Sequence, residues 1–227
     1  MPPAVTIDIL DRMRPNLASL IQDKARSLAG MRYCDLRISV REQKGAMAEN
    51  GNEKASAEDY IFDFGVRAIA GSRISAAGYF GQILGVADVA SIENVVWQGI
   101  RQAHQRARSS ARMKSVTRGR FGSLGESLSG TDLAPITVAK DTVSAIYSQD
   151  PRAVPLTETV KMAVEGCKAL NNSRVVYAAA SASTFLLREL FLSSDGADID
   201  QSFAQTEGFA IAICAGERGT FELYDFT

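Results

Sequence analysis

Apolar residues recur at two spacings along this chain, and the change from one to the other marks the elements. Over residues 16–29, Leu17, Leu20, Ile21, Ala25 and Leu28 form one stripe at helical spacing, and Gly30 suits the position after a helix end. The period then drops to two. Leu36, Ile38 and Val40 alternate with Asp35, Arg37, Ser39 and Arg41, the pattern of a strand buried on one face. A second strand is predicted to begin near Asp59 and to run over 61–69 into the turn signal Ala70-Gly71-Ser72, with a third over 73–80. Ser91 is placed to cap a long helix on which Ile92, Val95, Val96, Ile100, Ala103 and Ala107 share a face. Residues 115–131 hold four glycines and no apolar period and read as a surface connection. A helix over 157–170 follows, with Val160, Ala163, Val164, Cys167 and Leu170 inward. Strand-length runs then occupy 175–181, 185–193, 197–205, 209–214 and 220–225.

The two ends of the chain read alike: helix, strand, Asx-Gly turn, strand, Ala-Gly turn, strand. A shift of 145 residues places Asn50-Gly51 on Asp195-Gly196, Phe64 on Phe209, Ala70-Gly71 on Ala215-Gly216, Arg73 on Arg218 and Tyr79 on Tyr224. The expected fold is therefore α+β, with curved antiparallel sheets, helices packed on one side, and an internal duplication of a helix-plus-hairpins unit. The expected halves are about 1–114 and 132–227, joined by 115–131. Asp195-Gly196 is expected to form a two-residue hairpin turn with both residues at positive φ.

Composition narrows the function classes. With 227 residues, 46% hydrophobic and 22% charged, the chain can bury a core without staples, and a formal charge of -1 predicts no bulk attraction to nucleic acid or membranes. Cys34, Cys167 and Cys214 lie far apart with no C-x-x-C pair, which fits reduced thiols in the cytoplasm. Charged Asp8, Asp11, Arg12 and Arg14 interrupt the apolar residues of the N-terminal stretch, unlike a signal peptide.

Catalytic chemistry is hard to assemble from these residues. The only histidine, His104, sits on the long helix among arginines and reads as a solvated helix residue. One histidine cannot build the paired-histidine sites typical of catalytic zinc, and no H-E-x-x-H is present. No G-x-S-x-G elbow supplies a serine nucleophile, and the cysteines fall on apolar faces, so no catalytic, cofactor or metal residue is assigned. The one anomalous charge feature runs from Arg101 to Arg120, with seven cations and no acid. Arg101, Arg106, Arg108, Arg112 and Lys114 form a candidate basic contact surface, which could meet phosphates or an acidic partner. The simpler reading is a solvated helix end whose cations complement the helix dipole.

The segment Tyr33-Cys34-Asp35-Leu36-Arg37, the turn Glu49-Asn50-Gly51, and then Phe64-Gly65-Val66-Arg67-Ala68-Ile69 before Gly78-Tyr79-Phe80 resemble the opening strands of the TldD/PmbA family. The resemblance continues through the helix after Ser91, the region 151–172 and the final strands. It implies the N-terminal domain of a two-domain protein whose zinc-binding H-E-x-x-x-H helix would lie in a C-terminal domain outside these residues. It further implies a cytoplasmic homo- or hetero-oligomer of TldD/PmbA-type subunits, one carrying zinc and the other lacking it, acting on unfolded peptide. This chain is then expected to be non-catalytic, helping to assemble subunits and enclose peptide. The alternatives are the zinc-free partner of such a pair, or a nucleic-acid or gyrase-associated protein, after the family's older label of modulator of DNA gyrase.

Overall fold

A computed structural model describes residues 5–121, 137–217 and 219–226. Its elements are α1 (Ile9–Ser19), β1 (Met31–Glu49), β2 (Asn52–Gly71), β3 (Ser75–Ile83), α2 (Val86–Val89), α3 (Ile92–Phe121), β4 (Lys140–Val143), α4 (Leu156–Ala169), β5 (Val175–Ser193), β6 (Asp198–Gly216) and β7 (Gly219–Phe226). The first helix starts earlier than the sequence stripe suggests. Pro15 lies inside α1, because Ile9, Leu10, Met13 and Leu17 extend the buried stripe upstream. A π-helical turn (Leu20–Lys24) and a 3-10 turn (Ala25–Ser27) carry the helix on to Leu28. The strands are longer than the alternation showed. The runs read as two strands over 175–193, and as two more over 197–214, are each one continuous strand. Residues 115–121, read as the start of a connection, extend α3; residues 122–131 lie outside the described residues.

All seven strands join one sheet in the order β3-β2-β1-β5-β6-β4, with β7 also on β6. The sheet is open and curved, with the helices on one side. Every pairing is antiparallel except the parallel pair β4–β6, so the expected antiparallel sheets are a single mixed one. Even-numbered positions of the long strands face the helices. Leu36, Ile38 and Val40 of β1, Phe62, Phe64 and Val66 of β2, and Leu186, Leu190 and Leu192 of β5 pack with Leu10, Leu17, Ile21, Val96 and Ile100 in the main core. A second cluster joins Ala46, Ala48, Ala178 and Ala180 to Ala163 and Cys167 of α4. No helix among the described residues is long and apolar enough to cross a membrane.

The repeat is written into the register, at a shift of 144 rather than 145. β1 and β5 are both 19 residues long, starting at Met31 and Val175. The irregularity between Met31 and Tyr33 in the β1–β2 pair recurs between Val175 and Tyr177 in the β5–β6 pair. β1 pairs antiparallel with β5, and Glu42 stands opposite Leu186, its own counterpart at that shift, so a local twofold axis passes through this pair. The turns obey the same rule. Asn50 N–H donates to Ala178 O and its Oδ1 accepts from Ala178 N–H. Ser194 N–H donates to Cys34 O and its Oγ accepts from Cys34 N–H. Asn50 thus matches Ser194, and Cys34 matches Ala178. At β3 and β7 the shift becomes 145, since Gly71↔Ser75 corresponds to Ala215↔Thr220 and Arg67↔Tyr79 to Ile211↔Tyr224. The matched Arg218 lies outside the described residues.

The two first turns nevertheless differ in kind. Asn50 (φ 48) and Gly51 (φ 80) form a two-residue turn between the paired Glu49 and Asn52, the type whose twist suits the strands. Asp195 does not adopt positive φ. Only Gly196 does (φ 100), within a longer loop in which Ser193 N–H donates to Ala197 O. The expected two-residue turn at Asp195-Gly196 is therefore replaced by a loop whose Ser194 is buried against β1.

Candidate functional site

The groups with chemical potential are dispersed. His104 is buried, not solvated, and its Nε2 lies 3.0 Å from Ala29 O, so it ties α3 to the end of the first helical stretch. Cys34 is buried, and burial, with Asp35 beside it, pushes its thiol up to about 12, the opposite of an activated nucleophile. Cys167 Sγ accepts from Gly51 N–H at 3.1 Å, as a packing and capping group. For the zinc implied by the family resemblance, the described residues offer no group of three His, Cys, Asp or Glu that could hold a metal. They do not fit that ion, and no step is derived through it.

The sequence-defined basic surface is divided by the helix. Arg106 donates to Tyr79 O and stacks over the Phe80 ring at 5.5 Å, closing α3 onto the edge of β3. Lys114 donates to Ser75 O at 3.3 Å. Arg101 is exposed, two turns before Arg108. Arg108 and Arg112 instead face a hollow of about 480 Å³ between α3 and the β2–β3 turn, where they meet Arg73 of that turn. Sequence reading missed Arg73 because its place depends on β3 folding back along α3. The stripe Arg108, Ala111, Arg112 and Ser115, at spacings of three and four, was the available signal.

A second arginine-lined hollow, of about 460 Å³, is a useful contrast. There Arg67 Nε donates to Asp35 Oδ2 at 2.8 Å, and Arg37 pairs with Glu189 at 3.1 Å. Arg188, on the helix-facing side, is likewise matched, donating to Asp200 at 2.7–2.9 Å and to Asp11, while Arg14 also reaches Asp198 and Asp200. The hydrogen bond from Arg188 holds the Asp11 carboxyl below the ordinary carboxylate range.

The sheet leaves two stretches of strand without an outer partner among the described residues. β3 covers only residues 63–71 of β2, leaving 52–61 open. β4 covers 198–201 of β6 and β7 covers 209–216, leaving 202–208 open between them. Beside the open part of β6 lies a groove of about 560 Å³, floored by small residues Ala182, Ser183, Thr184, Ala204 and Thr206 and flanked by Met162 of α4. Thr184 Oγ1 is the one buried side-chain polar atom without a hydrogen-bond partner among the described residues.

Neither a protein-family model nor a curated protein matches this sequence. Solved structures do match the fold. TldE from Thermococcus kodakarensis superposes with a TM-score of 0.57 at 14% identity, over 93% of this chain and 42% of that one. A candidate modulator of a DNA gyrase from Thermotoga maritima gives 0.56 at 11%, over 97% and 42%, and one from Bacteroides thetaiotaomicron gives 0.61 at 12%, over 93% and 44%. The chain therefore spans less than half the length of these proteins, and its fold is that of TldE and the gyrase-modulator proteins, the TldD/PmbA fold that the sequence resemblance leads one to expect.

Proposed function

We propose that these residues form a non-catalytic, TldD/PmbA-type domain that holds unfolded peptide in extended form and joins a homologous subunit in assembling a peptide-enclosing particle. The open outer edge of β6 over 202–208 carries this reading. An unpaired strand edge offers alternating N–H and C=O groups to any extended backbone, giving affinity with little dependence on peptide sequence. A groove beside the edge, floored by alanine, serine and threonine, leaves room for the incoming side chains. On this reading the zinc chemistry implied by the resemblance is performed elsewhere in the parent protein, since the described residues supply no ligand set.

The test is fluorescence anisotropy of a labelled unfolded peptide with the whole protein. Thr206→Lys sets a long cation over the groove floor at an exposed position and is expected to weaken peptide binding about tenfold or more. Ala57→Lys, on the open edge of β2, is expected to leave binding unchanged. Unchanged binding by Thr206→Lys removes β6 as the docking edge, and no binding by the wild-type protein removes the peptide-holding reading.

A further inference from the structure

We propose that the hollow between α3 and the β2–β3 turn is an oxyanion site for a small phosphorylated molecule, its phosphate oxygens held by Arg73, Arg108 and Arg112. These three arginines line one hollow, and no acidic residue lines it with them. None of the three makes an ion pair among the described residues, whereas Arg14, Arg37, Arg67, Arg152 and Arg188 all do. Like charges brought together at a partly enclosed surface repel one another unless an anion sits between them. The forked donors of arginine match the oxygens of a phosphate two at a time.

The helix dipole does not account for the cluster. α3 continues to Phe121, so Arg108 and Arg112 lie more than two turns before its end, outside the last turn where cations are favoured. Local construction favours a fixed site instead. Ala111, buried between the two helical arginines, leaves the space that a longer side chain would fill. Arg32 Nη2 donates to Ser72 O at 2.9 Å and ties down the turn that carries Arg73, and the hydroxyls of Ser72 and Ser115 add neutral donors. At about 480 Å³ the hollow lies in the range of small-molecule sites. A compact anion fits better than a polyanionic strand following α3, because Arg106 and Lys114 are turned onto backbone carbonyls of β3.

The probes are inorganic phosphate and pyrophosphate, titrated into the whole protein at fixed ionic strength by calorimetry, with chloride as reference. Pyrophosphate is expected to bind, and Arg108→Gln, Arg112→Gln and Arg73→Gln each to weaken it about tenfold or more, while Arg101→Gln has no effect. The same three variants, measured in chloride alone, are expected to melt at the wild-type temperature or above, because each removes repulsion and breaks no ion pair; this keeps loss of binding distinct from loss of fold. Absence of pyrophosphate binding, or an equal loss in Arg101→Gln, overturns the proposal. So does tight binding of a single-stranded oligonucleotide that pyrophosphate does not displace.

Discussion

The outer edges of β2 and β6 occupy matching places in the two repeats, yet their chemistry differs. The open stretch of β2 is exposed from Asn52 to Asp59 and carries Glu53, Lys54, Glu58 and Asp59, the charged side chains that discourage a second strand from adding. The open stretch of β6 has Glu207 as its only charge and a small-residue groove at its side. The helical sides diverge too. α3 lies on β2 and β3, while β6 and β7 have no equivalent helix among the described residues, and Phe221 and Leu223 are 59% and 65% exposed. A duplicated unit has thus kept its register while its two copies differ in cover, one closed by a helix and the other without one among the described residues.

The largest expected effect breaks the closed copy. A Cβ at Gly78 would run into Ala103 O and Ala107 N of α3, backbone that cannot move without lifting the helix. Leu223 holds the matching place in the other copy and faces solvent. Gly78→Leu is expected to cost about 3 kcal/mol or more, because it unseats Val96, Ile100 and Ala103 from the core, and Leu223→Gly about 1 kcal/mol or less. Urea denaturation measures both. Similar costs for the two would mean that the copies are covered alike.

A smaller effect sharpens the comparison at the matched turns. Asn50 and Ser194 make the same pair of bonds across the β1–β5 seam, but Ser194 is 2% exposed and Asn50 is exposed. Removing an acceptor from a buried N–H costs more than removing one that water can replace, so Ser194→Ala is expected to cost about 1–3 kcal/mol. Asn50→Ala loses its bond near water and a residue suited to φ 48, for about 1 kcal/mol. Hydrogen exchange at Cys34 and Ala178 N–H should show the same order, with the larger loss of protection at Cys34.

Much of this was legible in the sequence, for identifiable reasons. The alternation Leu36, Ile38, Val40 and the stripe Val96, Ile100, Ala103, Ala107 each report a single buried face, and both hold. The strand breaks expected near residues 182–184 and 206–208 do not occur; the strands run on, and Ala182, Ser183, Thr184 and Thr206 line a groove within them. His104 looked solvated because its neighbours along the chain are cationic, while its actual neighbour, Ala29 O, is 75 residues away in sequence. The repeat was visible one residue out of register, because turn composition aligned Asn50-Gly51 with Asp195-Gly196 where hydrogen bonding aligns Asn50 with Ser194. The cluster of Arg73, Arg108 and Arg112 needed the β2–β3 hairpin to be folded against α3 before it could be seen.

The smallest effect lies on the twofold axis itself, where one copy has Leu186 and the other Glu42. Leu186 is buried at 2% exposure, and Glu42 is half-buried with its Oε1 accepting from Ile7 N–H at 2.8 Å. Burial raises the Glu42 carboxyl above its ordinary 4.5, outweighing that hydrogen bond and the nearby Arg152. A carboxyl raised in the folded state favours folding when protonated. Its contribution is therefore complete below about pH 4.5 and is lost as pH rises through the folded value. Glu42→Gln keeps an acceptor for Ile7 N–H and does not titrate, so it should match the wild type in acid and become more stable than it toward neutral pH, by under about 1 kcal/mol after solvent screening. Denaturation midpoints measured at several pH values from 4 to 8 check the sign. A Glu42→Gln variant that is less stable at pH 7 would show that the carboxylate's partners, Ile7 N–H and Arg152, outweigh its burial, and that the polar copy at the axis is as well accommodated as the apolar one.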